Sequence, residues 1–275
     1  MPFDGLTDDM LREKAPSVFA THAAPNVSER YEYLPSYQVV RELRTIGLVP
    51  VSVREGYKRN PAGRPFAIHQ IRFRKQGDVA LRPKLGDVFP EALFLNSHDR
   101  TSGMSFAGGL HRLICTNGMT VADQALSFRL RHVGHGLRDK LHAGMEQLLK
   151  NLGRAVEVAE KWNRIIVPAS RQIAFANEAL AIKGTALHIE PETILHPRRW
   201  LDQHDDLWSV FNRVQENITK GGIPGRTASG CISSLKSIRT LAADVDFNSK
   251  LWTAAAKVAD EAESRPVPSG VVASA

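Results

Sequence analysis

Cysteine is nearly absent from this chain. Its 275 residues hold two, Cys115 and Cys231, too few for a disulfide framework or a cysteine-rich zinc site. The ten histidines are scattered and do not fall at zinc-finger spacing. No run of about 18 apolar residues occurs, so no transmembrane helix is expected. The opening stretch MPFDGLTDDMLREKAP is acidic and polar. It has neither the basic start nor the apolar core of a signal peptide, which places the expected location in the cytoplasm. No internal repeat is found. Phosphate-cradling loops are also missing, because Gly108-Gly109 is followed by neither a P-loop lysine nor a dinucleotide fingerprint.

Positive charge is present, and it is unevenly placed. The net charge is +7. Between residues 54 and 84, nine Lys or Arg stand against two acids, Glu55 and Asp78. That surplus equals the whole net charge, so the rest of the chain sums to zero. A concentrated basic block is the footprint of a polyanion partner, most often nucleic acid. The plainer alternative is a solvated surface loop.

Periodicity supplies the elements. Residues 7–14 read as a short helix capped by Thr7 and ended by Pro16. Pro35 to Gly47 reads as a second helix. Alternation over Leu48–Tyr57 and Phe66–Lys75, with Asn60-Pro61-Ala62-Gly63 between, predicts a β-hairpin with a basic loop. Ala67, His69, Ile71 and Phe73 then share one face, with Arg72 and Arg74 on the other. Glu91–His98, Ser102–Ala107 and Ser127–Val133 are further strand candidates. The last sets Phe128 and Leu130 inward and Arg129 and Arg131 outward. Leu110–Cys115 reads as about one helical turn, and Asn117-Gly118 as a turn.

Beyond Gly134–Gly136 the pattern changes to helices: Leu137–Val167 with an interruption at Gly153, Gln172–Ile182, Asp205–Lys220 and Ser237–Glu263. Residues 221–236 read as a Gly/Ser-rich loop. The fold class expected is α+β: an N-terminal antiparallel sheet with short helices, then an α-helical C-terminal half. Its divisions are an α+β domain over 1–135, a helical domain over 136–263 and a flexible tail over 264–275.

The stretch richest in chemically able side chains is LNSHDRTSGMSFAGGLHRLICTNG, residues 95–118. His98, Asp99 and His111 are candidate metal ligands or catalytic groups, with a divalent ion to activate water. The spaced carboxylates of two-metal phosphodiester chemistry are lacking, since Asp87, Glu91 and Asp99 are the nearby acids. Cys115 follows two aliphatics, the setting of a small core residue.

Several segments together resemble the phage/plasmid-like protein family, a domain-of-unknown-function family (number nine hundred and thirty-two) of phages, plasmids and other mobile elements. They are Ala15–Phe19, Ser28-Glu29-Arg30-Tyr31, Arg72-Phe73-Arg74, Leu95–Asp99, Gly109–Gly118, Arg129-Leu130-Arg131-His132, Asn212–Asn217 and Leu251-Trp252. The resemblance covers nearly the whole chain. It implies DNA metabolism, replication or recombination, and carries no established catalytic residues. A helix followed by a basic hairpin and further strands also broadly resembles phage single-strand annealing proteins at the level of fold.

The expected function is therefore nucleic-acid binding without catalysis, with single-stranded DNA as the first candidate. Lys58, Arg59, Arg64, Arg72, Arg74, Arg129 and Arg131 are the expected contacts. Tyr57 and Phe66, beside the hairpin tip, are placed to stack on bases. Further copies of the chain are a second expected partner, and a membrane is not expected. No cofactor or metal is required. The alternatives are a metal-dependent nuclease or hydrolase built on His98, Asp99 and His111, and a protein-interaction factor acting through the C-terminal helices.

Overall fold

A computed structural model describes residues 5–79, 88–112, 119–120, 127–130, 132 and 136–264. Two compact units divide the chain. One comprises Met1–Val158 and Lys236–Lys250, the other Ala159–Leu235 and Leu251–Ala275. The expected boundary near residue 135 is not where the units part. The chain crosses three times: at 158/159 and 250/251 inside long helices, and at 235/236 between elements.

The first unit opens with α1 (Asp8–Lys14). Thr7 Oγ1 accepts from the Met10 amide as its N-cap, and two acids fill the first turn. α2 (Ser36–Thr45) buries Val39, Val40 and Leu43. Gly47 takes φ 81°, a left-handed conformation that lets the chain leave α2 and enter a strand at once.

Six strands follow: β1 (Leu48–Glu55), β2 (His69–Lys75), β3 (Val88–Asn96), β4 (Met104–Arg112), β5 (Met119–Thr120) and β6 (Ser127–Leu130). A four-residue helix, α3 (Gln76–Val79), comes after β2. The sheet is antiparallel in the order β1-β2-β3-β4, with β5 and β6 both paired to β4. The segment Leu110–Arg112, read from sequence as a helical turn, is the end of β4 and pairs with β3 and β5. Cross-strand pairing overrode its short-range apolar spacing. Cys115 lies outside the described residues.

Register assigns the two faces of the sheet. Ile71, Phe73, Phe94 and Phe106 are buried on one face. Phe94, Phe106 and Phe128 stack there in series, with ring centroids 4.8 Å apart at each step. Burying one such ring contributes roughly 1.5–3 kcal/mol. The opposite face carries the arginines. Arg72 lies opposite Leu93, Leu93 opposite Ala107, and Ala107 opposite Ser127, two residues before Arg129. Arg72, Arg74 and Arg129 thus share one face, as their alternation implied. The unit also contains the start of α4 (Leu137–Trp162), which runs without a break through Gly153.

The second unit is helical: the end of α4, α5 (Ala169–Lys183), α6 (Pro191–Leu195), α7 (Leu207–Lys220) and the end of α8 (Leu241–Glu263). Trp162, Phe211 and Trp252 form its aromatic centre. α7 is capped by Asp206 and buried from Leu207 to Thr219. Part of its polar face is paired: Arg199 with Glu216, and Arg198 donating to Asn217. The stretch 221–236 is not all loop. It forms a two-stranded ribbon, β7 (Pro224–Arg226) with β8 (Ile232–Ser234). No helix among the described residues is long and apolar enough to cross a membrane.

Candidate nucleic-acid interface

The arginine face is not open where the alternation placed its first pair. Arg74 Nε lies 2.6 Å from Glu91 Oε1, and Arg72 Nη1 lies 3.4 Å from Glu91 Oε2. The side chains of Arg72, Arg74 and Glu91 are 15%, 13% and 3% exposed. Burial pulls the Arg72 guanidinium below its ordinary value, opposed by Glu91. Arg54, farther along the same face, reaches Asp244 at 3.4 Å. Arg72 and Arg74 are thus structural cations, corrected from the exposed phosphate contacts expected. One acid on the neighbouring strand recruits both of them, and a single-strand alternation pattern cannot reveal it.

Arg59, Arg64, Arg100 and Arg129 are exposed at one end of the sheet. That end is made by the β1–β2 connection, the β3–β4 turn and the end of β6 with His132. Asn60 caps a short 3-10 turn, Pro61–Phe66, within the first connection. Arg59 and Arg64 are exposed there, and Tyr57 is 83% exposed. Phe66 is instead buried against Ala20 and Ala24, a packing role rather than a stacking one. Lys58 Nζ donates to Asp99 Oδ2 at 2.6 Å, which ties the hairpin loop to the β3–β4 turn. Asp99 Oδ1 also accepts from the Thr101 amide and hydroxyl. Burial pushes the Asp99 carboxyl up, but these hydrogen bonds hold it below the usual carboxylate range.

Beneath the turn runs a buried polar chain that ends the aromatic layer. His69 and Asn96 are register partners on the Phe94 side of the sheet. Ser36, at the start of α2, is met by three nitrogens: His69 Nε2 at 2.8 Å, Asn96 Nδ2 at 3.0 Å and His98 Nε2 at 3.2 Å. A hydroxyl has one proton and two lone pairs, so one of these nitrogens accepts and two donate. Asn96 donates. His69 Nδ1 lies 2.9 Å from Ser17 Oγ and 3.1 Å from the Ala67 carbonyl oxygen; a carbonyl can only accept, which puts the proton on Nδ1 and leaves Nε2 to accept. His98 Nε2 then donates, and its Nδ1 is left as a buried lone pair with no partner. Burial pulls His69 down to about 4 and His98 to about 3. Both rings are neutral near pH 7.

The chain ends at His132, which is itself buried. Its Nε2 lies 2.8 Å from Asn96 Oδ1, its Nδ1 lies 3.2 Å from the Glu32 carbonyl oxygen, and Tyr31 stacks on its ring at 4.7 Å. Tyr31 and His132 line a pocket of about 400 Å³, together with Ser28, Ser102, Gly103, Arg100 and Arg129. Arg100 adopts φ 68°, a left-handed conformation uncommon for a residue with a Cβ. Gly103 keeps the wall low. A Cβ there would lie 3.1 Å from the Leu130 carbonyl oxygen and 3.3 Å from Arg129 Nε. Neither Arg100 nor Arg129 has an ion-pair partner among the described residues. Two guanidiniums without ion-pair partners among the described residues thus stand beside an aromatic wall.

Residues 24–256 match the family described as "Domain of unknown function (DUF932)". This chain belongs to that family. Two proteins of Escherichia coli (strain K12), UPF0380 protein YafZ and UPF0380 protein YfjQ, are each 32% identical to it over 252 residues, covering 91% of this chain and 90% of theirs. No solved structure matches. In this DUF932 member, three of the segments that carried the resemblance meet at one place. Ser28 and Tyr31 of one segment and Arg129 and His132 of another line the pocket, and Asn96 of Leu95–Asp99 supplies the chain beneath it.

The other expected site residues fare differently. His98 and Asp99 are neighbours in sequence but turn to different partners, Ser36 and Lys58. Among the described residues, no group of three His, Cys, Asp or Glu is arranged to hold a metal ion. His111 is in β4, opposite Phe89, and its side chain lies outside the described residues, as does Arg131. Ser36, His69, Tyr31, Arg100 and His132 were missed as site residues. His132, Tyr31 and Arg100 stand inside or beside quoted motifs, so proximity to those motifs was the available signal. Ser36 carried none.

Proposed function

We propose that this DUF932 protein binds single-stranded nucleic acid at the loop-bearing end of its sheet, single-stranded DNA first, in the replication or recombination of a mobile element. The observation that carries this reading is the convergence of Arg100 and Arg129, without acidic partners among the described residues, on a pocket walled by Tyr31 and His132. Arg59, Arg64 and the exposed Tyr57 extend the same end of the sheet. Guanidiniums bind phosphates, and aromatic rings accept bases that are not already stacked in a duplex. A strand with free bases fits such a surface better than a paired one.

The test is binding of a fluorescent oligonucleotide, single-stranded or duplex, across a salt series. Affinity for the single strand should exceed that for the duplex. It should fall with salt at about 0.7 logarithmic units per phosphate contact. Arg59→Ala with Arg64→Ala should lower that slope by about 1.4. Absence of binding at low salt refutes the reading.

A further inference from the structure

The pocket differs from the basic loop beside it. Arg59, Arg64, Arg100 and Arg129 are all exposed, but Arg100 and Arg129 line one pocket, whereas a lone loop cation suits the single charge of an internal phosphodiester. The pocket sets Arg100, Arg129, Ser28 and the Tyr31–His132 stack around about 400 Å³. That volume lies in the small-ligand range of roughly 300–1,000 Å³. Two guanidiniums lining one open cleft match a group with more than one negative charge. A phosphate monoester has a second ionisation near pH 6 and carries about −1.5 to −2 at pH 7. Arg100 is exposed, and its backbone takes a left-handed conformation uncommon for a residue with a Cβ.

We propose that the pocket is a site for a nucleotide phosphate monoester, the terminal phosphorylated nucleotide of a strand or a free mononucleotide, with its phosphate between Arg100 and Arg129 and its base against Tyr31. This rests on the nucleic-acid reading for the strand end but not for the mononucleotide. The chain would then distinguish a phosphorylated end from a hydroxyl end, and an end from an internal stretch.

The experiment uses the full chain and two probes. One is an internally labelled oligothymidylate bearing a 5′-phosphate, a 3′-phosphate or hydroxyl ends. The other is thymidine monophosphate against thymidine, followed by calorimetry. A phosphorylated end should tighten binding about tenfold, the effect of one or two charge-assisted hydrogen bonds. Arg100→Gln with Arg129→Gln should abolish that preference and also lower the salt slope for hydroxyl-ended strands by about 1.4, the value of two phosphate contacts. Tyr31→Leu should weaken thymidine monophosphate binding and leave binding of inorganic phosphate unchanged. Preference for one phosphorylated end identifies the strand source. Mononucleotide binding without oligonucleotide binding identifies the free source, and sinks the function proposed above while the pocket assignment stands. Equal affinity for phosphorylated and hydroxyl ends, with no calorimetric signal from the monophosphate, overturns the pocket assignment even if strands bind.

Discussion

Glu91→Gln separates a structural from a binding role for the two strand arginines. Glu91 is buried on β3, and its oxygens meet Arg74 at 2.6 Å and Arg72 at 3.4 Å. The amide keeps the shape and removes the charge. Two nearly buried guanidiniums then face no carboxylate on that strand. Breaking a buried pair by removing one partner costs about 3–5 kcal/mol. Arg72 and Arg74 have further interactions, and Asp244 attracts Arg72 from the same face. The lower end, about 3 kcal/mol, is therefore expected. Urea unfolding followed by circular dichroism reads this as a lower midpoint at unchanged slope. Adding Arg72→Met to Glu91→Gln should recover part of the loss, since the stranded charge is removed with its partner. The same cycle gives the coupling energy. A loss below about 1 kcal/mol for Glu91→Gln, or no coupling to Arg72, would refute the structural assignment. The assignment also changes how Arg72→Ala with Arg74→Ala must be interpreted. Weaker nucleic-acid binding in that variant would follow loss of folded protein, at an unaltered salt slope.

Three more outcomes are open to measurement. His69 and His98 are held neutral with pKa values of about 4 and 3, below the unfolded value of about 6.5. Below about pH 6.5 the unfolded chain gains protons that the folded rings refuse, so stability is full above that pH and is lost as pH falls. At pH 5 each ring costs about 2 kcal/mol, and a urea midpoint unchanged between pH 7 and pH 5 would contradict this. Gly144→Ala would set a Cβ 2.6 Å from the Phe128 ring. Overpacking should outweigh the gain in helix propensity, for a net loss of about 1–2 kcal/mol visible in a thermal melt. Asp99→Asn weakens the hold on Lys58, and the salt slope for a single strand should steepen by about 0.7, the value of one added phosphate contact.

How much of this was legible beforehand varies by element. Thr7, the α2 stripe of Val39, Val40 and Leu43, and the alternation of β2 are local signals, and each resolved as its spacing indicated. Leu110–Arg112 misled because three apolar or basic residues at short spacing fit a helical turn as well as a strand end. β7 and β8 are three residues each, below the length at which alternation can be counted. The long-range partners were not legible at all. Glu91 lies 17 residues from Arg74, Ser36 is 60 from Asn96, and Asn96 is 36 from His132.

By itself the sequence determined the class: α+β, one basic segment, arginines alternating with phenylalanines, and membership in a family through motifs spread along the chain. These rest on composition and on the periods of helix and strand, which each segment carries alone. Only the tertiary structure decided which charges are spent. Arg72 and Arg74 are both ion-paired because β3 brings Glu91 beside β2. Arg100 and Arg129 stay available because the β3–β4 turn and β6 end at the same edge without an acid between them among the described residues. Whether a cation meets a buried carboxylate or solvent is set by strand order and register, and neither is encoded in any one stretch of the chain.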